Sequence, residues 1–167
     1  MNKIFLSILG SSLFLFTGCE TNKVTHITSI FIEAPASASQ SMQRTVTLPV
    51  SGISIPVMTK ELTLAEDLLN TEVVEIGEPG LRLVCLLVQV DRKAAKNIME
   101  VSRHAKGKSF VLVVNDQAVG IMPISEPVVD GNLFFTVEQK GKTNKQAALD
   151  LSKDLNTSIL AIRKLQE

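Results

Sequence analysis

The sequence predicts an α+β domain, a mixed and mostly antiparallel sheet with helices on one face. Three observations carry this. Residues 81–90 (LRLVCLLVQV) and 109–114 (SFVLVV) are apolar runs rich in valine and leucine, with the length of covered strands. Between them, Ala94, Ala95, Ile98, Val101, Ser102 and Ala105 fall on one arc of a helical wheel. Other apolar residues sit in shorter segments separated by Gly, Pro, Asn and Asp, as strands joined by tight turns do.

The chain opens on an address. Lys3 precedes an apolar stretch over residues 4–16, too short to cross a bilayer as a permanent helix, and small residues follow. That order reads as a secretory leader over residues 1–18. The Phe16-Thr17-Gly18-Cys19 ending resembles the lipobox of bacterial lipoproteins. The resemblance implies that Cys19 begins the mature chain and carries diacylglycerol and an N-linked acyl chain. Two or more acyl chains hold a protein stably at a membrane, where one holds it marginally. Glu20 follows the cysteine where an aspartate often marks inner-membrane retention, so the same resemblance favours the outer membrane, facing the periplasm. Residues 19–28 are then a polar tether. Residues 29–60 are strands and a loop packing on a main domain over 61–167.

Residues 29–34 (SIFIEA) read as a first strand and 35–41 (PASASQS) as a loop. Alternation of Val46, Leu48 and Val50 gives a strand over 44–50. Ser51-Gly52 turns it into another over 53–59, where Pro56 suits an edge. Thr63 can cap a short helix over 64–69. A strand over 71–76 precedes Glu78-Pro79-Gly80, with proline and glycine where a type II turn wants them. After the central strand 81–90, Asp91 caps and Gly107 closes a helix over 91–106. The strand 109–114, an Asn115-Asp116 turn and a returning strand over 118–124 come next. Asp130-Gly131, between apolar residues 128–129 and a strand over 133–137, is the strongest short hairpin signal. Thr143 and Gln146 form a capping box for a helix over 144–155, which Asn156-Thr157-Ser158 would interrupt. The order strand-helix-strand-strand-helix-strand over 53–114 suggests a ferredoxin-like split βαβ core, with the extra hairpin and a C-terminal helix added.

Composition narrows the function. The 17 basic and 17 acidic residues balance, and Lys3 would leave with the leader, so no global charge attracts nucleic acid or anionic lipid. Tyr and Trp are absent, which weakens sugar binding and single-strand nucleic-acid binding by stacking. With Cys19 acylated, Cys85 is the one remaining thiol. No internal disulfide is expected, and its place in an apolar strand makes it a small buried hydrophobe. His26 falls in the tether and His104 on the polar side of a helix, without a spaced His/Cys/Asp cluster near either. Neither a metal site nor a catalytic triad is expected. Glu66-Asp67 and Asp150/Asp154 read as solvated helix surface, and no phosphate-cradling glycine motif occurs. The stripe Arg92, Lys96, Arg103 and Lys106, opposite the apolar arc, invites a functional reading. It suits anionic headgroups or an acidic partner at about 1 kcal/mol per basic group, although an ordinary solvated helix face has the same pattern. In a strand, Phe134-Phe135 puts one ring inward and one outward, the latter either covered by 29–60 or part of a binding face.

The segment 62–156 resembles the head part of the first periplasmic domain of the SecD protein-export subunit. The landmarks, in order, begin with a strand region ending Val73-Val74 and the apolar strand ending Val90-Asp91. A helix closing on Lys106-Gly107-Lys108 and the run from Phe110 to Asp116 follow. Then come Pro123-Ile124-Ser125-Glu126-Pro127-Val128, Asp130-Gly131, Phe134-Phe135-Thr136, and a helix up to Asp154-Leu155-Asn156. Asn115-Asp116-Gln117 stands where the family has an aspartate–glycine turn. The resemblance implies a fold and no chemistry. The expectation is a non-enzymatic, membrane-tethered module of the bacterial cell envelope. Its partners would be the lipid bilayer, through Cys19, and protein chains or another envelope component, with no nucleic acid and no small-molecule cofactor. An envelope spacer is the alternative, and an uncharacterised hydrolase the third class.

Overall fold

The structure, a computed structural model, describes residues 23–166, so the leader and Cys19 lie outside the described residues. In chain order the strands are β1 (Thr28–Ile32), β2 (Gln43–Thr47), β3 (Ser54–Met58), β4 (Leu68–Ile76), β5 (Leu83–Val90), β6 (Ser109–Val114), β7 (Gln117–Pro123) and β8 (Asn132–Val137). Helix α1 (Arg92–His104) joins β5 to β6, and α2 (Asn144–Gln166) follows β8. Six strands form one sheet in the order β1-β6-β7-β8-β5-β4, while β2 and β3 form a separate hairpin.

The expected α+β class, with both helices on one face, is what the chain adopts. Leu86, Val88 and Val90 of β5, Phe110, Leu112 and Val114 of β6, and Leu133, Phe135 and Val137 of β8 share one core cluster. Ala94 and Ile98 of α1, and Leu151, Leu155 and Ile159 of α2, complete it. Alternate residues of β6, Val111 and Val113, point to the other face. There Val46, Ile55 and Val57 of the β2–β3 hairpin cover them together with Phe31. The chain is therefore three layers thick over β1, β6 and β7.

Within that class the topology differs from a split βαβ core. Every named ladder is antiparallel, so β5 and β6, three antiparallel steps apart, do not run parallel. The reason is local. Asn115 and Asp116, both at positive φ (48° and 63°), make a two-residue turn that sends β7 back beside β6 and fills that edge. Likewise β3 pairs with β2 across the Ser51-Gly52 turn and stays out of the main sheet. The expected helix over 64–69 is a single 3-10 turn, Ala65–Asp67, closed by the Asp67 carboxylate accepting from Leu64 N at 2.8 Å. Thr63 does not cap it; its hydroxyl is buried without a hydrogen-bond partner.

Turn chemistry elsewhere follows the expectations. Leu81 N donates to Glu78 O across Pro79-Gly80, and Asp91 Oδ1 accepts from Ala94 N at 2.7 Å at the start of α1. Gly107, at φ +82°, hands its N–H to Ile124 O. Asp130-Gly131 is not the tip of a 128–133 hairpin. It leads into β8 as an Asx turn, with Asp130 Oδ1 accepting from Asn132 N, and Gly131 O accepts from Val90 N. The positive φ of Gly131 and the closeness of Ala95, whose Cβ would lie 2.8 Å from an added Cβ, leave no room for another residue.

Helix α2 runs past Leu155 without a break. Within the polar trio, Thr157 bonds back to Lys153 O inside the helix, while Asn156, with Ser152, ties α2 to the sheet. Asn156 accepts from Thr71 N and donates to Thr71 O, both at 2.8 Å, and Ser152 Oγ donates to Thr71 O at 3.0 Å. Ser158 Oγ accepts from His26 N at 3.0 Å. Asn156 thus pairs with edge strand β4 as a neighbouring strand would, which blunts an exposed edge.

Candidate functional site

The four stripe residues are all exposed, Arg92, Lys96 and Arg103 along α1 and Lys106 in the turn after it, because the helix expected to reach 106 ends at His104. Among the described residues, none has an acidic group within ion-pair distance. Arg103 Nη2 rests 3.6 Å from Met99 Sδ, one turn back. The four charges therefore stand free in water, held by a helix whose opposite face is locked into the core.

On the next flank of the same helix lies a feature the sequence did not display. Val101 of α1, Ile32 of β1 and Met58 of β3 line an open groove of about 460 Å³ with apolar walls, and Glu33, Glu100 and Lys108 stand at its margin. Three segments far apart in sequence build it, and each wall is pinned. Asn97 Nδ2 donates to Leu62 O at 3.1 Å, which joins the middle of α1 to the loop before β4. Lys108 Nζ donates to Ala34 O at 3.1 Å, and Ala34 N donates to Pro56 O at 2.8 Å, so β1, β3 and the end of α1 are held together. The sequence placed Val101 on the apolar arc of the helix, and the structure leaves it only partly covered by the core. Ile32 and Met58 gave no sign of facing it.

The chemistry available here is apolar contact with charged groups of both signs around it. Among the described residues no group of three or more His, Cys, Asp or Glu is placed to hold a metal ion. His104 lies beside the groove. His26 sits at the other end of the molecule, with Nε2 3.8 Å from Asp154 Oδ2. Asp150, expected as helix surface, bonds Lys142 at 2.6 Å and Gln146 at 2.8 Å, and those contacts hold its carboxyl below the usual range. Cys85 is buried, and burial pushes its thiol up by more than a contact with the Thr136 hydroxyl lowers it. A raised thiol is a poor nucleophile. Phe135 points into the core and Phe134 to the opposite face, half-buried, as strand alternation requires.

No helix among the described residues is long and apolar enough to cross a membrane. No protein-family model matches the chain, and no curated protein does. Solved structures do. A structure of SecDF, a membrane component that enhances protein export, superposes with a TM-score of 0.51 at 13% identity, over 78% of this chain and 62% of that one. A structure of SecDF in a super-membrane-facing form gives a TM-score of 0.52 at 11% identity, over 81% of this chain and 19% of that one. At such identity the likeness is one of fold, and this chain spans only part of the length of either. The described residues share the fold of the part of SecDF on which they superpose.

Proposed function

We propose that this SecD-like domain is a non-enzymatic binding module of the bacterial envelope. It is anchored through lipids on Cys19 to the outer membrane, faces the periplasm, and takes polypeptide into the groove between α1 and the β1–β3 walls. The groove carries this reading. An opening of about 460 Å³ with apolar walls suits side chains of an extended or partly folded chain. Peptide-like partners need polar groups nearby as well as apolar contact, and Glu33, Glu100 and Lys108 supply them. The free cations of the adjacent stripe, Arg92, Lys96, Arg103 and Lys106, would speed capture of acidic segments, an effect on association rate that falls with salt. The fold likeness to a component of protein export supports a polypeptide partner over a small molecule.

The test is site-specific photo-crosslinking in intact cells, with the probe at Met58 and, as a control on the same molecule, at Leu81 in the β4–β5 turn. Crosslinks to envelope polypeptides from position 58 and not from 81 support the groove, as does their loss in Val101→Glu. An envelope spacer predicts equal, background crosslinking at both positions, and that result would replace binding with spacing.

A further inference from the structure

We infer that the end of the domain around Ile27 and the last turns of α2 lies against the lipid bilayer, through apolar insertion rather than charge. The inference rests on the Cys19 anchor proposed above, and three observations lead to it. The first is the shortness of the leash. His26 is already fixed to α2, its N–H on Ser158 Oγ and its ring near Asp154, and Ile27 exchanges hydrogen bonds with Asn115 through N and O. The chain is therefore fixed to the domain from Thr25 on, whereas the tether was expected to run to residue 28. Six residues lie between Cys19 and His26, and those seven backbone steps reach at most about 25 Å however they are arranged. The end that carries His26 can never be far from the headgroups.

The second observation is what that end displays. Leu160 and Leu165 of α2 are 55% and 80% exposed, Ile27 66%, Leu64 45% and Leu69 46%. Four of them line two clefts on either flank of α2. Ile27 and Leu64 line one cleft with Ile162, Leu69 and Leu160 line another, and Arg163 Nη2 bonds Leu69 O. Leu160 points away from the buried stripe formed by Leu151, Leu155 and Ile159, and Leu165 continues that stripe past the end of the core, so the core covers neither. The third observation concerns charge. Arg163 and Lys164 lie in the last turn of α2 and Glu66 lines the cleft with Ile27 and Leu64, so this end carries both signs of charge. Attachment by apolar area is insensitive to salt, whereas attachment through the α1 stripe would be screened. Docking at this end turns the β4–β5 turn, at the far end of β4, away from the membrane.

The experiment uses the full lipidated chain in vesicles of zwitterionic phospholipid, with single environment-sensitive labels on Leu64→Cys, Leu160→Cys or Leu81→Cys. Lipid-borne quenchers should quench labels at 64 and 160 several-fold more than at 81, equally at low and high salt. Equal quenching at all three positions would overturn the inference, as would quenching at 64 and 160 that disappears in high salt. A disulfide between Leu160→Cys copies in place of lipid quenching would assign the surface to a second copy and overturn it too. Fatty-acid incorporation on Cys19 is read in the same samples. Its absence defeats the anchor itself, whereas its presence with no difference in quenching defeats only the docking. Leu64→Ser/Leu160→Ser, at positions that are already exposed, should keep the fold by circular dichroism and the acyl chains while losing protease protection of the α2 end.

Discussion

Glu138, just past β8, decides how firmly the β2–β3 hairpin is held. Its Oε1 accepts from Val50 N at 2.8 Å, Ser51 N at 3.0 Å and Ser51 Oγ at 3.1 Å, so one carboxylate closes the hairpin turn onto the main sheet. Burial raises its pKa, but the three hydrogen bonds together outweigh this and hold it below its ordinary value of 4.5. A folded-state pKa depressed in this way gives stability that is fully present above the unfolded value and is lost as pH falls through the folded one. Glu138→Gln should therefore cost about 1 kcal/mol at neutral pH and make stability fall less steeply below pH 4.5. Urea unfolding across that range checks both. Asp130 and Asp150, also lowered by their hydrogen bonds, keep part of the acid sensitivity in the variant. Cys85 makes a second prediction at this scale. Buried and with its thiol pKa raised, it should react with a maleimide only in denaturant, and the native protein should label at the rate of its global opening.

Among the elements, α2 shows best what was legible and what was not. Its start was readable from Thr143, whose hydroxyl accepts from Gln146 N at 3.3 Å, and its buried stripe from Leu151, Leu155 and Ile159. Asn156-Thr157-Ser158 looked like a break because such residues compete with helical hydrogen bonds when their partners are local. Here the partners of Asn156 and Ser158 are distant, on β4 and on the segment before β1, and nothing in a linear pattern reveals that. Asn156→Ala should leave the buried Thr71 backbone short of its side-chain partners. It should cost about 1–3 kcal/mol and speed amide exchange at Thr71 ahead of the rest of β4; hydrogen exchange measures both. Similarly, α1 was readable from its Asp91 cap and its apolar arc because those signals are local, although it ends at His104 and not at 106. The groove beside it was not, because two of its walls come from β1 and β3. Strand order was misread for a related reason. Each strand was visible, but the Asn115-Asp116 turn decides which neighbour β6 takes, and that excludes a parallel crossover.

For the whole molecule, both ends matter. One end carries the tether, pinned at His26 and Ile27, together with the exposed side chains of Ile27, Leu64 and Leu160. The other end carries the β4–β5 turn, with α1 and its groove along the side. A SecD-like fold set on a short lipid leash would stay near the membrane as a whole, with the groove, at the end of β1 remote from Ile27, open to chains in the periplasm. That arrangement follows only if the leash is real, since balanced charge gives no electrostatic hold on a membrane and a few exposed apolar side chains orient the domain there only once it is tethered. The most direct measurement is mass spectrometry of the N-terminal fragment of protein extracted from its native envelope. The fragment should begin at Cys19 and carry two or three acyl chains on that residue. A fragment that begins elsewhere, or a Cys19 with a free thiol, would contradict the tethered module and every orientation derived from it.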